Sequence, residues 1–333
     1  MTAHFANETG AEDAPVSQTQ TLELRVEAIR YAAETVREVT LVAPDGAELP
    51  GIEPGGHVDL HLPGDRIRSY SLTNGPGETT AYVVAVNRDA ASTGGSAHIC
   101  EDLRVGTRLR VSTAPNNFPL AEAAESLFFA GGIGITPVLS MIRHLEARGA
   151  AWRLIYAVRS RAQAAFLSEL QALDAGRGRL ELHEDDRKGA VLDLAQHLAE
   201  APEGAHLYCC GPTPMIDAFE SLCDGRPASH VHVERFAGLA VEGAETAFTV
   251  VLKRKGLEFE VPPGKTIIEV LQENGVKVAY SCQSGVCGTC ETRVIEGTPD
   301  HRDNLLSERE RERGQVMLIC CSLAKSDRLV LDI

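Results

Sequence analysis

Three cysteines crowd into nine residues, Cys282-Gln283-Ser284-Gly285-Val286-Cys287-Gly288-Thr289-Cys290, and a fourth, Cys320, follows after twenty-nine intervening residues. This C-x4-C-x2-C…C spacing is the plant-type framework for a [2Fe–2S] cluster. Three thiolates on one tight loop reach two irons, and a thiolate from a distant strand closes the cage. Gly285 and Gly288 let the backbone bend around inorganic sulfur where a Cβ would collide. The expected metal ligands are therefore Cys282, Cys287, Cys290 and Cys320.

Other uses of these thiols fit less well. Zinc sites pair two C-x2-C units or add histidines, and this stretch holds one such unit. Cys321 adjoins Cys320, and the spacing makes it a small buried neighbour rather than a ligand. Cys100, Cys209, Cys210 and Cys223 lie in mostly apolar surroundings and call for no bridges. A cluster of this type carries one electron, so something upstream must load it and something downstream must accept from it.

With 333 residues the chain is expected to form two or three domains. Its net charge of −15 opposes a nucleic-acid or anionic-membrane partner. Residues 1–20 are polar and acidic, lack the pattern of a signal peptide, and read as a disordered tail. No apolar run is long enough to span a bilayer. The expectation is a cytoplasmic monomer.

Residues 21–121 read as short strands punctuated by turns such as Pro44-Asp45-Gly46, Pro54-Gly55-Gly56 and Pro63-Gly64-Asp65, the rhythm of a small antiparallel β-barrel. Within it, Arg68-Ser69-Tyr70-Ser71 alternates along a strand, so Arg68 and Tyr70 share a face, a cation beside an aromatic ring suited to a phosphate and a flat heterocycle. Gly94-Gly95-Ser96 opens an expected short helix over Ala97–Leu103, whose free N–H groups suit a phosphate.

Strand–helix alternation takes over in residues 122–236. The run Leu127–Ala130 leads into Gly131-Gly132-Ile133-Gly134-Ile135-Thr136-Pro137 and a helix over Val138–Arg148, with Thr136 expected as N-cap and Pro137 at the first helical position. The glycines would admit a pyrophosphate at a helix start, although the run departs from G-x-G-x-x-G at its last place. A second strand, Trp152–Val158, ends in Arg159-Ser160-Arg161 with no acidic residue to meet a ribose 2′-hydroxyl, so NADH and NADPH both remain open. A later strand, His206–Cys210, enters Gly211-Pro212, and His230–Arg235 delivers Phe236. Residues 237–245 read as a linker, and 246–333 as an α+β module carrying the cysteine loop.

Taken in this order, Arg68-Ser69-Tyr70-Ser71, Gly131–Pro137 with Cys210-Gly211-Pro212, the cysteine loop, Asp300-His301-Arg302-Asp303 and Cys320-Cys321-Ser322 make the chain resemble the phthalate dioxygenase reductase family, which includes vanillate O-demethylase reductases. The resemblance implies a flavin-binding barrel, an α/β parallel-sheet NAD(P)-binding domain and a C-terminal ferredoxin domain of β-grasp fold. By the family's pattern, Arg68, Ser69, Tyr70 and Ser71 meet the flavin, while Asn87, Arg88, Gly94, Gly95 and Ser96 approach its phosphate. Gly131, Gly132, Gly134, Thr136, Pro137, Gly211 and Pro212 belong to the nucleotide site, with Cys210 near the nicotinamide and Phe236 near the isoalloxazine. FMN, with FAD as the alternative, and NADH ahead of NADPH follow from the family. So does the activity: electrons pass from NAD(P)H through flavin and cluster to a separate Rieske-type non-haem iron oxygenase. No Cys-x-His occurs in the chain to build a Rieske centre of its own. A cytochrome P450 as acceptor, or a ferredoxin-like carrier without catalysis, are the competing readings.

Overall fold

The structure is a computed structural model that describes residues 21–64, 66–89, 94–236, 244–280, 285–286, 288–306 and 308–333. The expected tail and most of the expected linker lie outside the described residues, as do Cys282 and Cys287.

The first sheet comprises β1 (Thr21–Ala33), β2 (Val36–Val42), β3 (His57–Leu62), β4 (Arg66–Ser71), β5 (Tyr82–Asn87) and β6 (Arg108–Ser112). Their order is β4-β3-β6-β1-β2-β5, and a bridge between Leu72 and Val84 brings the two edges together into the expected barrel. Along β3 the period of two sends Val58, Leu60 and Leu62 into the core with Val39, Leu41 and Val111. His57, Asp59 and His61 alternate onto the opposite face. In the β3–β4 register Val58 faces Tyr70 and Leu60 faces Arg68, whereas His57 faces Ser71 and Asp59 faces Ser69. One strand thus presents Arg68 and Tyr70 on one side and two serines on the other. The expected helix over Ala97–Leu103 begins earlier, as a single turn at Gly95–Ala97 that widens into a π turn at His98–Asp102.

The second sheet is parallel, built from β7 (Glu125–Gly131), β8 (Ala151–Val158), β9 (Leu180–Glu184), β10 (His206–Cys210) and β11 (Val231–Glu234) in the order β11-β10-β7-β8-β9. Strand order reverses between β7 and β10, and in such sheets ligands bind at the carboxyl ends beside that reversal. Helix α1 (Ile135–Arg148) follows β7, with α2 (Leu167–Asp174), α3 (Leu194–Ala199) and α4 (Thr213–Leu222) after it. The strand cores are apolar on both faces, as burial between helix layers requires: Phe128, Phe129, Leu154, Ile155, Leu207 and Tyr208 are at most 1 % exposed.

Thr136 is not the N-cap. A 3-10 turn at Gly132–Gly134 runs directly into α1, so Gly134 occupies the cap position, Thr136 and Pro137 sit two residues deeper than expected, and the Thr136 hydroxyl donates to the Ile133 carbonyl at 3.0 Å. The helix begins early because the glycines allow the chain to turn at once from strand to helix.

The third sheet contains β12 (Phe248–Leu252), β13 (Leu257–Val261), β14 (Glu291–Glu296), β16 (Val316–Leu318) and β18 (Arg328–Leu331) in the order β13-β12-β18-β14-β16, with a small pair β15 (Pro299–Asp300) and β17 (Leu323–Ala324). First and last strands pair in parallel, β12 with β18, and α5 (Ile267–Glu273) packs its Ile267, Ile268 and Leu271 onto the sheet. Thr266 opens α5 with a capping box: its hydroxyl accepts from the Glu269 N–H, and the Glu269 carboxylate accepts from the Thr266 N–H at 2.8 Å.

At the strand reversal the backbones touch. A Cβ on Gly134 would stand 2.1 Å from the Cys210 carbonyl oxygen, and one on Gly211 would stand 3.0 Å from the Gly131 Cα. Gly134 has an ordinary φ of −60°, so its need for glycine is steric alone. Gly134→Ala is expected to lower stability by about 1–3 kcal/mol through overpacking, read from denaturant unfolding, whereas Gly149→Ser at the exposed end of α1, with no atom within 4 Å of its Cβ position, should give no clash and only the smaller cost of its φ of +64°.

Candidate functional site

Three sets of groups stand out. The first is at the β4 edge of the barrel. The Arg66 guanidinium lies where a Gly94 Cβ would be (2.4 Å), and the Arg68 side chain lies 2.8 Å from where a Gly95 Cβ would be. Gly94 has φ of +102°, a left-handed conformation open to glycine. Two cations thus flank a side-chain-free turn, a cradle with the charge and shape for a phosphate. Tyr70 packs against the barrel core beside it, and burial pushes its hydroxyl pKa upward, so the ring stays neutral. Asn87 and Arg88 are engaged within the barrel: the Asn87 carbonyl accepts from the Thr35 hydroxyl at 2.6 Å, and Arg88 pairs with Glu101 at 2.6 Å. The Ser96 hydroxyl accepts from the Asp89 N–H at 3.3 Å. Arg66 escaped the sequence reading, although its alternation with Arg68 along β4 was a signal for it.

The second set gathers where the barrel, the parallel sheet and the cysteine-bearing module meet. His57, Ser69 and Ser71 from the barrel, Glu234 and Phe236 from the end of β11, and Val286, Asn304 and Leu305 line a cavity of about 80 Å³. Strand register assembles it. Cys210 pairs with Glu234 across β10–β11, and His57 pairs with Ser71 across β3–β4. The Ser71 hydroxyl hydrogen-bonds the Glu234 carboxyl, and the Cys210 thiol lies 4.0 Å from Glu234 Oε2. Deep burial pushes the Glu234 carboxyl up to about 8, with the Ser71 bond pulling the other way, so it is largely protonated at neutral pH. Cys210 is fully buried and its thiol is pushed well up by that burial, first, and by Glu234, which keeps it a neutral shape-forming group and not a nucleophile. Phe236 is 38 % exposed at the mouth. Glu234 and His57 were missed from sequence, because neither carries a motif; only the strand pairing reveals them.

The third set is the cysteine region. Antiparallel pairing of Glu291 with Leu318 places Cys290, just before β14, at the same end of the hairpin as Cys320, just after β16. Both are nearly inaccessible, at 3 % and 2 %. Gly285 and Gly288 have φ of +72° and +77°, and a Cβ on either would meet Cys321, Asp303 or Leu305 within 3 Å. The Cys321 thiol donates to the Leu318 carbonyl at 3.6 Å, as a buried neighbour does. Asp303, wholly buried, organises the facing loop. Its carboxylate accepts from the Leu305 and Leu306 N–H groups, while the Asn304 N–H reaches the Gly285 carbonyl at 2.9 Å. Buried thiols beside glycines that must stay bare fit a cluster. No disulfide joins the described cysteines.

The glycine contact at the strand reversal completes the arrangement, since it puts Gly131–Gly134 and Cys210–Pro212 at the carboxyl ends where a dinucleotide binds. Nearby, Arg161 and Arg187 both reach the buried Glu184 carboxylate, at 3.2 and 3.1 Å.

Comparison with known proteins agrees with this geometry. The 2Fe-2S iron-sulfur cluster binding domain family matches residues 250–325, and the oxidoreductase NAD-binding domain family matches residues 128–221. A phenoxybenzoate dioxygenase subunit beta from Ectopseudomonas oleovorans is 47 % identical over 322 residues, covering 96 % of this chain and 98 % of its own. The solved structure of phthalate dioxygenase reductase is 37 % identical, with a TM-score of 0.75, covering 96 % of this chain and 99 % of that one. The chain belongs to the phthalate dioxygenase reductase family. An intact type IV self-sufficient cytochrome P450 monooxygenase is also similar, at 35 % identity and a TM-score of 0.81, covering 94 % of this chain but 41 % of that longer one. This reductase is an NAD(P)H-dependent oxidoreductase using a flavin and a 2Fe-2S cluster, and serves as the reductase component of a two-component oxygenase system. No described helix is long and apolar enough to cross a membrane.

Arg68→Ala should lower flavin occupancy several-fold while the visible spectrum of the cluster persists, measured on the purified protein. Because the Glu234 pKa is raised from its ordinary 4.5 to about 8, the folded form holds a proton that the unfolded form has released between those values. The stability contributed by this group is therefore complete below pH 4.5, falls as pH rises through 8, and is flat above. In Glu234→Gln, the decline in unfolding midpoint of flavin-free protein between pH 5 and 9 should be shallower than in the unsubstituted protein.

Proposed function

We propose that this chain takes electron pairs from NADH and delivers them singly, through FMN and the cluster, to a separate Rieske-type non-haem iron oxygenase acting on an aromatic acid or methoxy-aromatic compound. The observation that carries this is the common cavity. The strand bearing Ser71, the strand end bearing Glu234 and Phe236, and the loop carrying Val286 beside the cysteines all line one space, so flavin, nicotinamide and cluster sites converge. When bound, the flavin accepts a hydride and the cluster passes single electrons at low potential, about −400 mV for this type.

The chain's own part is binding, orientation and exclusion of water. Arg66 and Arg68 with Gly94 and Gly95 hold the flavin phosphate, and Tyr70 and Ser71 meet its ring. Gly131, Gly132 and Gly134 with Gly211 and Pro212 admit the dinucleotide, and Cys210 shapes the nicotinamide pocket. Phe236 covers the isoalloxazine until nicotinamide arrives. Cys282, Cys287, Cys290 and Cys320 ligate the cluster. NADH is favoured over NADPH because Arg161 is already committed to the buried Glu184, leaving less free charge for a 2′-phosphate. The units run over 21–121, 122–236 and 246–333, and the protein acts as a monomer.

A cytochrome P450 acceptor is the second reading, favoured by the likeness to a chain in which a similar module is joined to a P450. Anaerobic reduction followed optically separates the steps. Cys320→Ser is expected to lose the cluster spectrum, to keep flavin reduction by NADH within about twofold, and to lose turnover with the oxygenase. Loss of flavin reduction in a folded variant would contradict the modular arrangement. Reconstitution with a Rieske oxygenase against a P450 decides the acceptor.

A further inference from the structure

His57 is 5 % exposed, and neither of its ring nitrogens has a hydrogen-bond partner among the described residues. A buried polar atom left unpaired costs about 1–3 kcal/mol, so an imidazole with both nitrogens free calls for an occupant of the cavity it lines. That cavity also holds Ser71 and Glu234 and has room for water. Two residues along the same face of β3 comes Asp59, 4 % exposed, whose carboxylate accepts from the Ser69 hydroxyl at 2.5 Å. Two further comes His61. Asp59 and His61 line a second space, an open cleft of about 1100 Å³ between the barrel and residues 272–280 of the cluster module. The period of two in a strand sets these three titratable groups about 6.6 Å apart in a row. The row leads from the smaller cavity to the larger cleft.

The proposed reaction leaves a proton to be removed. Each NADH oxidised gives up a hydride, two electrons and one proton, and an iron–sulfur cluster passes on electrons alone. One proton per NADH must therefore leave the pocket, while both electrons continue to the acceptor. A relay imidazole needs one nitrogen free to accept and the other free to donate, the state in which His57 is found.

We propose that His57, Asp59 and His61 form a proton conduit along the outer face of β3, from the Ser71–Glu234 cavity to the interdomain cleft. One ring nitrogen of His57 takes the proton left at the cavity as the other gives one up toward Asp59 through water, and the ring returns to its starting state by turning over. Burial lowers the His57 pKa and Asp59 opposes it, so the ring is neutral and ready to accept. The two spaces along the row are also lined by Arg66, Ser69 and Ser71 from β4, His98, Arg108, Arg110 and Ser112 from the rest of the barrel, Glu234 and Arg235 at the end of β11, and Lys277, Tyr280 and Asn304 from the cluster module. Of these, Arg110 lowers the His61 pKa after burial does, which favours release into the cleft over retention. These three residues are positioning groups for the proton, and none of them is assigned to holding a cofactor.

The inference rests on the electron-transfer reading above, and one experiment separates the two. Holoprotein is mixed with one equivalent of NADH and excess artificial one-electron acceptor without oxygen, and proton release is followed with a pH-indicating dye beside NADH oxidation. In unsubstituted protein the two are expected to keep pace at one proton per NADH. In His57→Ala and in the isosteric Asp59→Asn, with rates referred to the flavin bound in each variant, proton release should lag NADH oxidation by at least tenfold, and added imidazole should restore His57→Ala but not Asp59→Asn. Proton release that keeps pace in Asp59→Asn, or a full rate in His57→Gln, which hydrogen-bonds but cannot relay, would overturn the conduit. Unsubstituted protein in which NADH never reduces the iron would overturn the electron-transfer reading itself.

Discussion

A hydrogen bond from the Ser71 hydroxyl to the Glu234 carboxyl ties the barrel to the last strand of the parallel sheet. Ser71 ends β4 and Glu234 ends β11, so the bond fixes two strand ends that have no sheet in common. Everything that must meet for electron transfer is indexed from those ends. Cys210 is brought in by register with Glu234, His57 by register with Ser71, and Phe236 by lying two residues beyond Glu234. A carboxyl kept largely protonated at neutral pH suits this place, since a bare carboxylate there would be desolvated without a cation to balance it.

The second constraint is steric. In a parallel sheet the carboxyl ends of two adjacent strands can receive a ligand only if the turns leaving them stay thin, and here both turns are glycine-built and in contact. Gly134 against the Cys210 carbonyl holds α1 close to β10. This in turn holds Cys210, and hence its neighbour Glu234, in place. The packing of the nucleotide turn and the electrostatics of the three-way cavity are therefore one problem, joined through Cys210.

Much of this was legible in the sequence, for definable reasons. Strands such as His57–Leu62 and His206–Cys210 announce themselves because alternation or an unbroken apolar run, bounded by turns, admits few alternatives. The cysteine loop is legible because ligand spacing is local. The α2 helix went unread, because only Leu170 and Asp174 of its residues are buried and its apolar period is weak. The position of Thr136 was misjudged because a polar residue before proline looks like a cap, whereas the 3-10 turn at Gly132–Gly134 had already begun the helix. Glu234 and His57 were invisible as functional residues for a deeper reason. Each is an ordinary polar residue whose significance comes from burial, and burial is a property of the assembled sheets.

The polar layer between barrel and cluster module gains its meaning from that same burial. An interface built only to hold two domains together would be expected to use apolar groups, since buried polar ones stabilise little and cost much when unpaired. Along β3 the face turned to the cluster module instead carries His57, Asp59 and His61, with Ser69, Ser71 and Ser112 beside them. Asp59 is satisfied by Ser69, and its N–H by Ser112, so the layer is partly self-paired. His57 is the exception. An interface that tolerates one unpaired imidazole, at the point where hydride chemistry must divide into electrons and a proton, separates the two by position: electrons cross the interface toward the cysteines, and the proton leaves along it toward the cleft.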